Sequence, residues 1–235
     1  MITLELSGVN KIYSGAYQNQ VLFDINLSFE AKTCSAIVGE SGSGKSTLMN
    51  IMGILDTPTS GEVTIASNIV SSMNRKQMAE IRNRTIGFVF QFHYLLPEFT
   101  VLENVLIPHL IHNRSQSGQV LNRARNLLDI VGIAKLEKRL PTQISGGEQQ
   151  RTAIARALMN NPSIILADEP TGNLDSVTTQ NVCRLFGEIK KEFNTTFIVV
   201  THDRTVASHT DRIVEVRDGR IISDKLNTKI VPQTR

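Results

Sequence analysis

The chain has 235 residues and a mass of 26.1 kDa, enough for one large domain whose core needs no disulfide or metal staple. Apolar residues make up 40% of it and charged residues 20%, a globular composition rather than a disordered one. The 25 Lys and Arg against 22 Asp and Glu leave a net charge of +3. That is too near neutral for a nucleic-acid footprint, so no nucleic-acid partner is expected. The two cysteines, Cys34 and Cys183, match no metal-ligand spacing and read as small core residues of a protein kept in a reducing compartment. Apolar runs stop at four residues, as in Phe197–Val200, far short of the roughly 20 a membrane span needs. Glu5 stands where a signal peptide would need a basic start and an apolar stretch. The expectation is a cytoplasmic protein that meets a membrane only through a partner.

In chain order, Ser35–Val38 is a buried-strand candidate, followed by a helix over Thr47–Leu55. Further strands are predicted at Gly61–Ile65 and Thr85–Phe90. From residue 97 to 160 the strand signal disappears. Leu121, Ala124, Leu128 and Val131 share one helical face there, and a second helix follows Ser145. Ile164–Ala167 reads as a strand, Val182, Phe186, Ile189 and Phe193 as the apolar stripe of a helix, and Phe197–Val200 as another strand. Ile213–Val216 and Arg220–Ile222 flank Asp218-Gly219, a hairpin signal. Residues 226–235 are polar and read as a loose tail. Alternating strands and helices predict an α/β protein with a mixed sheet and an inserted helical subdomain.

Gly39, Glu40, Ser41, Gly42, Ser43, Gly44, Lys45 and Ser46 satisfy the P-loop pattern, with a strand before them and a helix from Thr47 after them. Glycines let successive backbone N–H groups converge on phosphate oxygens, and the helix N-terminus adds partial positive charge. Lys45 then reaches the β- and γ-phosphates, and the Ser46 hydroxyl ligates Mg²⁺. The strand ending in Asp168-Glu169 supplies the acidic element. Adjacent strand residues point to opposite faces, which gives Asp168 to the metal and Glu169 to the attacking water. These two elements together predict a nucleoside triphosphatase binding ATP and Mg²⁺. Ser145 and Glu148 form a capping box, S-x-x-E, and the helix-weakening Gly146 and Gly147 inside it suggest that something approaches that helix end closely, a second triphosphate being the natural candidate.

The run from Ile144 to Arg151 resembles the signature motif of the ATP-binding cassette (ABC) family, and that family's other motifs follow in order. Gln91 resembles its Q-loop glutamine, Gly172–Ser176 its D-loop, His202 its switch histidine, and Tyr13 its adenine-stacking aromatic. Glu148 departs from the glutamine found in many members. The resemblance covers nearly the whole chain, which it makes one ABC domain. It implies a P-loop core over about residues 1–96 and 161–225, with an N-terminal antiparallel β region, and a helical subdomain over 97–160. It also implies a head-to-tail dimer sandwiching two Mg·ATP, each site combining the P-loop of one copy with Ser145, Gly146 and Gly147 of the other. Gln91 would sense or ligate the metal and the water, Glu169 would be general base, His202 would hold the γ-phosphate, and Asp175 would pass the state of one site to the other.

A solitary cassette without a span is expected to be the motor subunit of a transporter, peripheral on the cytoplasmic face of the inner membrane. The aromatic segment Gln91–Val105 reads in part as helical-subdomain core and in part as the docking region for integral membrane permease subunits. It is similar to the same stretch in the ATPases that release lipoproteins from the inner membrane. Two alternatives share every catalytic motif: a macrolide or peptide exporter, and a regulator of cell division or cell-wall hydrolysis.

Overall fold

The computed structural model describes residues 1–15, 17–113 and 117–227. Two long strands open it, β1 (Ile2–Ser14) and β2 (Gln18–Glu30), followed by β3 (Cys34–Val38), α1 (Lys45–Met52), β4 (Ser60–Ile65) and β5 (Asn68–Ile69). Then come α2 (Arg75–Thr85), β6 (Ile86–Phe90), α3 (Val101–His112), α4 (Gly118–Ile130) and α5 (Gly146–Leu158). The chain continues through β7 (Ile164–Asp168), α6 (Ser176–Phe193), β8 (Thr196–Val200), α7 (Arg204–Ser208), β9 (Arg212–Arg217) and β10 (Arg220–Leu226).

The central sheet has the order β10-β9-β3-β8-β7-β6. Neighbours run parallel except β9 and β10, which close antiparallel. Its middle strands are apolar on both faces, as expected of a sheet covered on both sides. Ile165, Ala167, Phe197 and Val199 face a core shared with α3, α4, α5 and α6. Ile164, Leu166, Ile198 and Val200 face a second core made with α1 and the outer antiparallel sheet β2-β1-β4-β5. Cys34 and Cys183 lie buried and unpaired in the first core; burial pushes their thiols up to about 12 and about 11, which keeps them unreactive at neutral pH.

The Asp218-Gly219 hairpin forms as expected, with φ of 47° and 71° at those two residues. Three boundaries need correction. The first helix begins at Lys45 and ends at Met52: Gly53 N–H returns to Met49 O, and Ile54 turns to φ 55°. Thr85 ends α2 rather than starting a strand, because β6 joins the sheet only from Ile86, paired with Ile164. Val131 is buried but lies past the end of α4, whose buried face is Ala124, Leu127 and Leu128. At the expected tail, Leu226 closes β10 and Asn227 N–H donates to Asp211 O at 2.8 Å; residues 228–235 lie outside the described residues.

Candidate active site

The sheet order places the C-terminal ends of β3, β7 and β8 side by side, and the chemistry collects there. Val38 leads into the loop Gly39–Gly44, and α1 starts at Lys45. The loop must pass close to backbone: a Cβ on Gly39 would sit 2.1 Å from Val216 O. Gly44, at φ 100°, occupies the N-cap of α1 with no side chain covering the first N–H groups. Those donors and the helix dipole face a cleft of about 680 Å³. Gly39, Glu40, Ser41, Gly42, Gly44, Lys45, Ser46 and Thr47 line it, together with Gln91, Asp168, Glu169 and His202. Buried Ser43 lies beneath, its carbonyl accepting from Gly219 N–H at 2.9 Å. The Lys45 ammonium arches over the loop, donating to Gly39 O at 2.8 Å and Glu40 O at 2.7 Å.

The two carboxylates separate, though not by strand alternation. Asp168 is the last residue of β7, while Glu169 has left the strand at φ 44°. The Glu169 N–H donates to Val200 O at 2.8 Å. Three donors fix its carboxylate: Thr201 Oγ to Oε2 at 3.2 Å, His202 N–H to Oε1 at 3.1 Å, and His202 Nδ1 to Oε1 at 2.7 Å. Burial, and then the adjacent Glu169 charge, raise the Asp168 carboxyl above its usual range, with Lys45 pulling the other way. Gln91, just past β6, packs on the loop after Glu169: its Nε2 lies 3.4 Å from Asn173 Oδ1, and a Cβ on Gly172 would come within 2.7 Å of it.

Six predicted residues stand elsewhere. Tyr13 does not line the cleft; its hydroxyl donates to Asp56 at 2.8 Å with the Lys11 ammonium 4.7 Å from its ring centre. Ser145 and Glu148 close their capping box at the start of α5, Ser145 N–H donating to Glu148 Oε2 at 2.7 Å. Glu148 thus does the job of a cap, and this turn is exposed and outside the cleft. The two glycines differ. A Cβ on Gly147 would meet Thr178 Cγ2 of α6 at 3.1 Å, whereas Gly146 has open space. Asp175 is the N-cap of α6, accepting from Val177 N–H and from both the N–H and the hydroxyl of Thr178; those bonds hold its carboxyl below the usual range. Val21 and Val200 line the cleft and were not foreseen, since they arrive through β2 and β8 with no local motif to mark them.

A second concavity of about 390 Å³ lies between α2, β6, α3 and α5, with Phe88, Phe90, Tyr94, Ile107, Pro108 and Ile111 among its walls. Tyr94 in its wall is more than half exposed, as is Phe92, whose ring centre lies 6.5 Å from that of Tyr94. Behind them His93 is buried, its imidazole held below the usual value first by desolvation. The Arg156 guanidinium clamps this turn, donating to His93 O at 2.5 Å and Tyr94 O at 2.7 Å. His93 and Tyr94 both hold positive φ, 58° and 46°.

Residues 22–172 match the family described as ABC transporter. The chain belongs to the ABC transporter family. Among curated relatives, this ABC protein is 48% identical over 217 residues to the lipoprotein-releasing system ATP-binding protein LolD of Shewanella denitrificans, covering 92% of the chain and 93% of the relative. It is also 48% identical over 223 residues to LolD of Anaeromyxobacter dehalogenans, covering 94% and 93%. Its fold matches the dimeric ATP-binding cassette MJ0796 in a post-hydrolysis state bound to ADP and Pi, with TM-score 0.87, 40% identity and 95% and 98% of the two chains covered. CbiO1 of Clostridium perfringens, part of the ABC transporter complex cbiONQ, matches with the same TM-score at 27% identity, over 96% of this chain and 89% of that one. The chain is therefore an ABC ATPase that binds ATP.

Proposed function

We propose that this chain is the ATP-hydrolysing subunit of a complex that releases lipoproteins from the inner membrane toward the outer membrane, acting as a peripheral protein on the cytoplasmic face. The observation that carries this reading is 48% identity, over more than nine tenths of the chain, to proteins named as lipoprotein-releasing ATPases. Among the described residues no helix is long and apolar enough to cross a membrane, which fits a subunit that works through permease partners. Residues 1–96 and 161–225 would form the nucleotide-binding core, with 97–160 as the helical part that meets those partners. The apolar groove beside Gln91–Val105, with the exposed Tyr94 in its wall, suits a short amphipathic helix from a permease subunit.

In the chemistry proposed, the bare N–H groups at the start of α1 and the Lys45 ammonium bind the phosphates. Glu169, held by Thr201 and His202, takes the proton of the attacking water. His202, whose side chain is 73% exposed, is free to reach a terminal phosphate. Gln91 reports the state of the metal and water to the loop it packs on. The exposed turn Ser145–Gly147 completes the site of a second copy, as the open space at Gly146 permits, and Asp175, beside it on α6, lies where one site can inform the other. Mg²⁺ bound with ATP neutralises phosphate charge. The cleft suits it, because its hard oxygen donors Ser46 and Gln91 stand with a partly buried carboxylate, Asp168, already crowded by Glu169; these three would hold it.

The test is purification of the Glu169→Gln form with Mg·ATP from detergent-solubilised membranes of its host. A pair of permease subunits with acylated lipoprotein bound supports lipoprotein release. A single exporter subunit or a division protein in their place retains the ATPase and refutes the cargo.

A further inference from the structure

Glu169 holds an unusual backbone. It has φ 44° and directly precedes Pro170, whose ring restricts the residue before it to extended conformations. Such a conformation persists only where surrounding contacts over-determine it. On one side the contacts are those of β8: the Glu169 N–H on Val200 O and the carboxylate on Thr201 and His202. On the other side stands Gln150. Its side chain is wholly buried, its Nε2 donates to Pro170 O at 2.6 Å, and its Oε1 has no partner among the described residues. A carbonyl only accepts, so the nitrogen is the amide atom that must face Pro170.

Within the turn, Glu169 O accepts from Gly172 N–H and Thr171 O from Leu174 N–H. The Pro170 carbonyl between them is met by Gln150. An amide that leaves its own oxygen buried without a partner is poorly explained by packing, since an apolar side chain of the same length would fill the space and strand only the Pro170 carbonyl that the amide now serves. It is explained if the N–H donation matters. Gln150 sits about one turn beyond Ser145 on α5, so the bond ties the helix that carries the signature turn to the residue that follows the base.

We infer that Gln150 is a positioning residue for Glu169: by holding the Pro170 carbonyl it fixes the backbone from which the base reaches the attacking water. The inference rests on the reading of Glu169 as general base. It touches neither nucleotide nor water itself, so its loss should move turnover and leave binding alone.

The experiment compares purified full-length wild type with Gln150→Leu, Gln150→Glu and Glu169→Gln, measuring folding by circular dichroism, affinity for a fluorescent ATP analogue, and kcat against pH. Gln150→Leu removes the donor at near-constant volume and is expected to lower kcat about tenfold while affinity changes less than twofold. Gln150→Glu is the diagnostic variant. Its buried carboxyl donates to Pro170 O when protonated and repels it when ionised, so its kcat should approach wild type at the acid end and fall more steeply than wild type as pH rises. Unchanged kcat in Gln150→Leu overturns the inference. So does a fall of kcat in step with lost affinity or lost folded protein, or a Gln150→Glu profile parallel to wild type. If Glu169→Gln keeps wild-type turnover, the base assignment fails instead, and the two failures are told apart in one set of measurements.

Discussion

Replacing Glu169 by Gln isolates one function of that side chain. Glutamine is the same size, and its Oε1 can still accept from the His202 N–H that now lies 3.1 Å from Glu169 Oε1. The geometry of the turn is therefore kept, and what disappears is a group able to take a proton. General-base assistance is worth about 10²–10⁴ in rate, or about 3–5 kcal/mol of barrier. The contact with His202 Nδ1, 2.7 Å in the wild type, loses its charge. That imidazole is 73% exposed, so solvent screening limits the stability change to about 1 kcal/mol or less. We expect kcat to fall by roughly a thousandfold in a steady-state phosphate-release assay, with ATP affinity within about threefold and an almost unmoved urea midpoint. A kcat within about threefold of wild type would refute the assignment of Glu169 as base.

Three other outcomes are expected. Lys45→Ala removes the ammonium that spans the loop and with it charge-assisted contacts to phosphate, so ATP affinity should fall about 100-fold; titration with a fluorescent ATP analogue showing retained affinity would remove Lys45 from the site. Tyr94→Ser removes the exposed aromatic from the groove wall and should weaken permease capture while ATP binding is kept, and co-purification at wild-type yield would refute the groove. His93 is buried with its imidazole held below the usual value, so the unfolded chain takes up a proton first as pH falls. Stability present above the ordinary histidine range is therefore lost as pH drops through it toward the folded value. Urea midpoints from pH 7 to 5 should fall more steeply in wild type than in His93→Gln, and equal slopes would contradict this.

What could be read from sequence followed from how local the signal was. The P-loop, the Asp168-Glu169 strand end, the Ser145–Glu148 cap and the Asp218-Gly219 turn are each fixed by neighbours in the chain, and each formed where its residues predicted. The individual strands β1 and β2 were not resolved, because register shifts between Ile2 and Leu4, Leu6 and Val9, and Val9 and Lys11 break the alternation that marks a strand. Helix α2 buries no residue fully and packs only Met78 and Ile81 against the core, too short a stripe to mark it, so the Asn74–Gln77 capping box was the clearer signal. The separation of Asp168 from Glu169 was expected from strand alternation, yet it comes from a positive φ after the strand ends. Val21 lines the cleft and Gln150 meets Pro170 through contacts between distant segments, which no local pattern encodes. The bare turn at Gly146-Gly147 pointed outward to a partner, although half of it, Gly147, is explained by Thr178 of the same chain.

The central claim is that one chain holds only part of each ATP site and a second copy supplies the rest. Light scattering on the purified Glu169→Gln chain, with and without Mg·ATP, tests it most directly. The account predicts a doubling of the 26.1 kDa mass when Mg·ATP is added, abolished by adding Gly146→Glu, a position where an added Cβ meets nothing within 4 Å, with circular dichroism showing that the variant stays folded. A chain that binds ATP and stays monomeric, or a dimer indifferent to Gly146→Glu, would contradict it.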